Sequence, residues 1–251
     1  MLKAATKSII KATKLPQLYK YLSYVTDFKK FKALAARKKE RFLTSWKDRF
    51  PCLHDKTDQT YFDRHYIYHT AWAARVLAKT QPQNHVDISS SLYFSSIASA
   101  FVPIKFYDYR PAKLNLSNLT SEHADLLRLP FDNKSIDSLS CMHVVEHIGL
   151  GRYGDPLDPD GDLKAMKELE RVLAINGNLL FVVPVGKPKI MFNAHRIYSY
   201  EEVVKNFPRL TLQEFVLITD DTDKRDIMHN PKPDIVAQQT YGCGCFWFKR
   251  A

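Results

Sequence analysis

The sequence predicts an α/β domain built on a doubly wound parallel sheet, preceded by a helical extension. Three observations carry that prediction. After Asn84, short apolar runs alternate with stretches of helical periodicity, the pattern of strand–helix–strand units. Residues 1–84 contain no glycine and read as helical. Asp87, Asp108 and Asp125 recur at the ends of successive strand patterns, where ligands of open α/β sheets bind.

The extension holds the charge. The chain of 251 residues has a formal net charge of +10, and residues 1–50 account for nearly all of it. Lysines from Lys3 to Lys47, with Arg37, Arg41 and Arg49, face only Asp27, Glu40 and Asp48. Between them Ile9, Ile10, Leu15, Leu18, Tyr19, Leu22, Val25, Phe28 and Phe31 recur at rough helical spacing, with a break expected at Pro16. Such helices suit an anionic membrane surface or a protein partner, or they lie solvated on the domain. Nucleic acid has no motif to support it. A second helix, Tyr66–Lys79, carries His69, Ala73, Val76 and Leu77, and Gln81-Pro-Gln-Asn84 links it to the sheet, which sets a domain boundary at 84/85.

Strands are predicted at His85–Ser89, Ile104–Tyr107, Glu122–Ala124, Ile136–Met142 and Asn178–Val183, with helices at Tyr93–Phe101 and Asp162–Ala174. Asp162 is the expected N-cap of the latter, whose stripe is Leu163, Met166, Leu169, Val172 and Leu173, and Asn176-Gly177 ends it. A helix at Tyr200–Asn206 with Ser199 as N-cap, a strand at Leu210–Ile218, a charged turn at Asp220–Arg225 and a strand at Gly244–Phe248 complete the reading.

Several classes fall away. No apolar run approaches the roughly 18 residues of a membrane span, and no secretory leader pattern is seen, so a cytoplasmic protein is expected. Cys141 looks like a buried small hydrophobe. Cys243 and Cys245 share a strand face but lack the further ligands of a zinc site. Asp158, Asp160 and Asp162 suggest a calcium loop, yet Lys167 stands where its bidentate Glu belongs. His143-Val-Val-Glu-His147 has the spacing of an inverted zinc-protease motif without that motif's context. No metal is therefore expected.

Residues 124–147 run from Asp125 through Leu129-Pro-Phe131 and Ser135-Ile-Asp137 to a buried strand and then Glu146-His147. Residues 168–184, Glu-Leu-Glu-Arg-Val-Leu-Ala-Ile-Asn-Gly-Asn-Leu-Leu-Phe-Val-Val-Pro, give a helix, an Asn-Gly turn and a strand. This order resembles the class I S-adenosylmethionine (SAM)-dependent methyltransferases over roughly residues 85–250. The run Val145-Glu-His-Ile-Gly-Leu-Gly-Arg-Tyr-Gly-Asp-Pro-Leu-Asp-Pro-Asp-Gly161 is similar to the signature of an uncharacterised methyltransferase-like family, DUF268. The resemblance implies a Rossmann-like seven-stranded sheet and SAM as cofactor. It implies that Asp87, Ser89 and Ser91 hold the methionine end, Asp108 the ribose, and Asp125 with Leu126 the adenine, with His143 packed at the cofactor. One departure stands out: Ser89 and Ser91 occupy positions where class I methyltransferases have glycines, and serine disfavours the left-handed backbone.

The remaining candidates lie on the acceptor side. If the chain turns helical after the fourth strand, His143 and His147 share a face. His147 or His195 is then a general base for a hydroxyl acceptor, with Glu146 orienting a neighbour. The Gly-, Pro- and Asp-rich loop 149–162 reads as a lid offering Arg152 and Tyr153, or simply as turns. Asn193, His195, Arg196 and Tyr198 suit a hydroxylated acceptor or cap the next helix. The expected activity is O-methylation of a small polar or glycan-like acceptor. The competing expectation is a non-catalytic methyltransferase-like scaffold docked through the basic helices. The Asn/Asp-Pro-Pro-Tyr/Phe motif of nucleic-acid amino methylation is absent after the fourth strand.

Overall fold

A computed structural model describes residues 2–38, 41–221 and 227–251, and the backbone alone for 2–14. Lys39, Glu40 and most of the expected charged turn, from position 222 on, lie outside the described residues. The chain forms two compact units, Met1–Tyr61 and Phe62–Ala251.

In the first unit α1 (Leu2–Ala36) runs through Pro16 rather than breaking there. A proline removes one N–H bond and crowds one carbonyl, and strong helix formers on either side carry the helix across that gap. Trp46, in the 3-10 turn Trp46–Asp48, meets Phe28 edge-on with ring centroids 4.9 Å apart. Leu15, Leu18, Tyr19, Leu22, Phe31 and Leu34 remain exposed among the lysines.

The second unit begins with α2 (Arg64–Thr80), capped by Asp63, whose side chain accepts from the Tyr66 N–H. The order continues β1 (His85–Ile88), α3 (Leu92–Ala98), β2 (Ile104–Asp108), β3 (Leu119–His123), β4 (Ile136–Met142), α4 (Gly161–Val172), β5 (Leu173–Val185), β6 (Lys189–Met191), β7 (His195–Ile197), α5 (Tyr200–Lys205), β8 (Leu210–Ile218), β9 (Ile227–His229), α6 (Pro233–Ala237) and β10 (Gly242–Arg250). The main sheet runs β3-β2-β1-β4-β5-β10-β8-β9. β1 to β5 are parallel neighbours, and β10 is antiparallel to both β5 and β8. The expected seven strands are present, and β9 adds an eighth by pairing antiparallel with Val216–Ile218.

Each face of the sheet has its own core. Leu179, Phe181 and Val183 of β5 point to one side and meet Ala165, Met166, Leu169 and Val172 of α4 and Val203 of α5. Leu180 and Val182 point to the other and meet α2 and α3 through Trp72, Ala73, Val76, Leu77, Phe94 and Ala98. Burying each such aliphatic side chain contributes about 1.5–3 kcal/mol. α2 thus covers one face of the sheet, and the sheet-bearing unit starts at Phe62 rather than His85. Cys141, Cys243 and Cys245 are fully buried, the last two on the α2 face.

Two expectations near α4 change. Asp160, not Asp162, stands at the N-cap, and Leu163 is exposed. Asp162 is buried, accepts from the Tyr198 hydroxyl at 2.9 Å and lies 3.5 Å from Nε of Arg196. A buried carboxylate needs partners, and these two supply them. The helix also ends sooner than expected, because Leu173 pairs with Ile136 and so enters β5. Asn176, with φ +62°, turns the chain inside that strand, where the register to β4 shifts.

Candidate active site

β1 sits between β2 and β4, so the connections leave it in opposite directions and open a crevice at the strands' C-terminal ends. The loop Ser89–Ser91 forms the floor. Ser89 adopts φ +55°, the left-handed conformation that glycine would take without strain, and its N–H donates to the Tyr107 carbonyl at 2.8 Å. Ser90 Oγ accepts from the Met142 N–H at 3.0 Å, tying this loop to β4. Ser91 is the N-cap residue of α3, without a side-chain capping bond.

Asp87 does not open onto the crevice. It is fully buried in β1 opposite Ser140 of β4, accepting from the Ser140 hydroxyl at 2.8 Å and from the Ser95 hydroxyl. Burial raises its pKa to about 6, against the hydrogen bonds from Ser90, Ser95 and Ser140 that favour the charge. Ser140 donates its one proton to Asp87 and so accepts from His85 Nε2 at 2.8 Å; His85 Nδ1 then accepts from the Ser138 hydroxyl at 2.7 Å. Burial keeps His85 neutral, with its pKa lowered to about 3. The expected grip of Asp87 on a methionine end becomes an internal brace for the loop.

Asp108 is half-buried at the end of β2, its Oδ1 accepting from the Arg110 N–H at 2.7 Å. Asp125 is exposed after β3, its Oδ1 accepting from the Leu127 N–H at 2.9 Å. Leu126 puts its side chain into the core, which leaves only its backbone for an adenine.

The chain after β4 is not a helix presenting His143 and His147 together. His143 itself is left-handed at φ +57°, and a single 3-10 turn, Val145–His147, follows. Both rings still approach Glu146, but through different ring nitrogens and with different further partners. His143 is buried against α2 and β10: its Nδ1 lies 2.8 Å from Glu146 Oε1, its Nε2 lies 3.4 Å from Cys243 Sγ, and His65 stacks on it at 5.5 Å. Burial lowers His143 to about 4 and raises Glu146 to about 7. The contact is thus a hydrogen bond rather than an ion pair, and the Cys243 thiol, held protonated by burial, lies within hydrogen-bond reach of Nε2.

His147 turns to β7 instead. Its Nδ1 donates to the Ala194 carbonyl at 2.6 Å, so the neutral ring carries its lone pair on Nε2. That atom is 3.9 Å from Glu146 Oε1, too far for a hydrogen bond. Burial holds the His147 pKa below the ordinary value, although Glu146 pulls it up. His195 lies across from it with ring centroids 6.4 Å apart, its Nε2 buried with no hydrogen-bond partner among the described residues. Arg152 donates to the same Ala194 carbonyl at 3.0 Å.

The loop over this region is tied down. Asp155 Oδ2 accepts from the Gly149 and Gly151 N–H groups and Oδ1 from Tyr153. Arg196 donates to the carbonyls of Ile148, Asp158 and Pro159. At Gly149, with φ +81°, a Cβ would fall 2.0 Å from the Asp158 carbonyl oxygen. Arg196 and Tyr198 therefore build the loop rather than face an acceptor. A groove of about 720 Å³ elsewhere is lined by Leu163, Lys167, Arg171, Lys205 and Arg209, and by none of the expected site residues.

Comparison with known proteins places this architecture. A family of Caenorhabditis proteins of unknown function, DUF268, matches residues 116–205, which include the 145–161 signature. An uncharacterised protein of Methanocaldococcus jannaschii is 31% identical over 88 residues, 34% of this chain; the match spans about a third (33%) of that relative's length. The N-methyltransferase NodS of Bradyrhizobium japonicum WM9, solved with S-adenosyl-L-homocysteine, aligns with a TM-score of 0.51 at 15% identity, covering 80% of this chain and 91% of NodS. The chain has the class I methyltransferase fold. The geranyl diphosphate C-methyltransferase of Streptomyces coelicolor A3(2) aligns at 0.48 with 12% identity, over 72% of this chain and 76% of the other.

Within that methyltransferase fold, sequence reasoning missed half of the histidine cluster. His65, Tyr66 and His69 come from α2, and Tyr241 and Cys243 from β10 and the turn before it. The available signals were the His65-x-x-x-His69 spacing, one helical turn apart, and the alternation of Cys243 with glycines.

Proposed function

We propose that this chain is a SAM-dependent methyltransferase acting on the oxygen of a small polar or glycan-like acceptor. The observation that carries the reading is Ser89: the loop after β1 keeps a left-handed turn at the switch point although the glycine is gone. That conformation, which costs about 1–2 kcal/mol in a non-glycine residue, stands where nucleotide cofactors bind in open α/β sheets. The same fold in NodS accommodates S-adenosyl-L-homocysteine.

SAM, when bound, supplies a methyl group already activated by its sulfonium. The protein's own part is binding and alignment. Ser89 and Ser91 hold the methionine end, Asp108 accepts from the ribose hydroxyls, and Asp125 with the Leu126 backbone meets the adenine. Asp87 fixes the loop from beneath through Ser95 and Ser140. His147 takes the acceptor's proton at Nε2, since its Nδ1 is already committed to Ala194. His195 and Arg152 orient the acceptor beside it, and Glu146 steadies His143.

Calorimetric titration of the full chain with SAM and S-adenosylhomocysteine, alongside Asp108→Ala, tests this. Micromolar-range binding that the variant loses is expected. Absence of binding at millimolar ligand by a folded sample sinks the enzyme reading. It would favour the scaffold alternative, which has an observation of its own: apolar Leu15, Leu18, Tyr19 and Leu22 stand exposed among lysines on α1.

A further inference from the structure

We propose that His65, His143 and Cys243 form a site for a zinc-class divalent cation. They come from the start of α2, the end of β4 and β10, and one ligand-capable atom from each lies within 4.8 Å of the others. His143 Nε2 and Cys243 Sγ are 3.4 Å apart. Zinc bonds of about 2.0–2.1 Å to nitrogen and about 2.3 Å to sulfur put two tetrahedral ligands about 3.5 Å apart. The pair is therefore already at coordination spacing.

The surroundings are those of a metal site. Metal-bound histidines usually donate their other ring N–H to a carboxylate or a backbone carbonyl, which fixes the tautomer. His143 Nδ1 is placed for that bond, 2.8 Å from Glu146 Oε1. Beside these three residues, two neighbouring buried groups carry an atom without a hydrogen-bond partner among the described residues. His69 Nδ1 donates to the His65 carbonyl at 2.6 Å, and its Nε2 is buried with no hydrogen-bond partner among the described residues. Glu146 Oε2 shares that condition. Buried polar atoms of this kind are rare in folded proteins and call for an explanation.

An ordinary packed core explains the burial of these groups but not the convergence of imidazole nitrogens and a cysteine sulfur, the set that selects zinc over magnesium or calcium. On binding, Cys243 releases its thiol proton to solvent and the two imidazoles coordinate as neutral ligands. Three protein ligands leave a fourth position for water or a donor atom of a small molecule, as in catalytic rather than structural zinc sites. The inference is independent of SAM binding.

The test uses the full chain without an affinity tag. Purified protein is expected to hold one equivalent of zinc by elemental analysis. After its removal, cobalt(II) should give a near-ultraviolet thiolate charge-transfer band and the intense visible bands of four-coordination. Cys243→Ser should abolish the charge-transfer band and weaken uptake by more than about tenfold, while Cys245→Ser and Cys52→Ser keep both. His65→Ala, at the less buried edge, should weaken uptake comparably with an unchanged circular dichroism spectrum, and serves if Cys243→Ser does not fold. A folded wild-type protein that takes up no zinc or cobalt overturns the proposal. So does a charge-transfer band that survives in Cys243→Ser, or uptake unaffected in His65→Ala.

Discussion

Replacing Asp87 by Asn should change how stability depends on pH. In the folded chain burial lifts this carboxyl from 3.8 to about 6. Because the folded pKa lies above the unfolded one, the folded state holds the proton more tightly. The stabilisation from that proton is complete below about pH 4 and is lost as pH rises through about 6. A shift of about two units at roughly 1.4 kcal/mol per unit gives about 3 kcal/mol across the window. An amide cannot ionise, so this contribution vanishes in the variant. It still accepts one hydroxyl bond, and the loss of the others adds an offset that does not vary with pH. Urea unfolding of both proteins at about pH 4 and about pH 7 isolates the effect. Relative to wild type, Asp87→Asn should gain about 2.4 kcal/mol between the two conditions, whatever its absolute stability. A difference constant to within about 0.5 kcal/mol would refute the claim that this carboxylate is forced to ionise inside the β1–β4 pair.

His147→Gln should lower kcat by about a hundredfold to ten-thousandfold with SAM affinity unchanged. In the wild type, activity should rise with pH through a value below the ordinary imidazole range, because only the neutral ring accepts a proton. Persistence of that rising limb in the variant would assign the base elsewhere. Gly149→Ala forces a Cβ onto the Asp158 carbonyl at φ +81°, and should cost more than about 2 kcal/mol, lowering Tm by about 5 °C. Gly154→Ala, at φ +85° with nothing within 4 Å, should cost only about 1 kcal/mol of conformational strain. Equal melting temperatures for the two variants would contradict the packing of the signature loop.

The sheet was legible because its signals are local. Ile136–Met142 and Leu210–Ile218 match their observed strands to the residue, since period and flanking turns mark both ends. Ser199 caps α5 as expected, accepting from the Glu202 N–H. The site was legible only as far as chain direction determines it. Asp108 and Asp125 fall at strand ends, and that much follows from spacing. Which way Asp87 points depends on its pairing with Ser140, which no local pattern encodes. Asp162 looked like a cap because the sequence cannot show Tyr198 arriving from beyond β5. A shared face for His143 and His147 required a helix, which the left-handed backbone of His143 itself prevents. α2 was grouped with the basic extension because it is helical, whereas its role is set by the sheet face that Trp72, Ala73, Val76 and Leu77 cover.

That placement of α2 bears on how the chain is made. The helix is among the first parts of its unit to leave a ribosome, yet its partners include Val216, Ile218, Cys243 and Cys245, which are synthesised after all of the parallel strands. Until β8 and β10 emerge, Trp72, Val76 and Leu77 have only part of their cover, and an amphipathic helix with an open apolar face invites capture by chaperones or by other nascent chains. Closure waits for the central antiparallel strand β10, since it lies between β5 and β8 and nothing beyond β5 can join the sheet before it. A translational pause or a truncation ahead of Gly242 would therefore leave the parallel half of the sheet formed, with its first helix only partly covered.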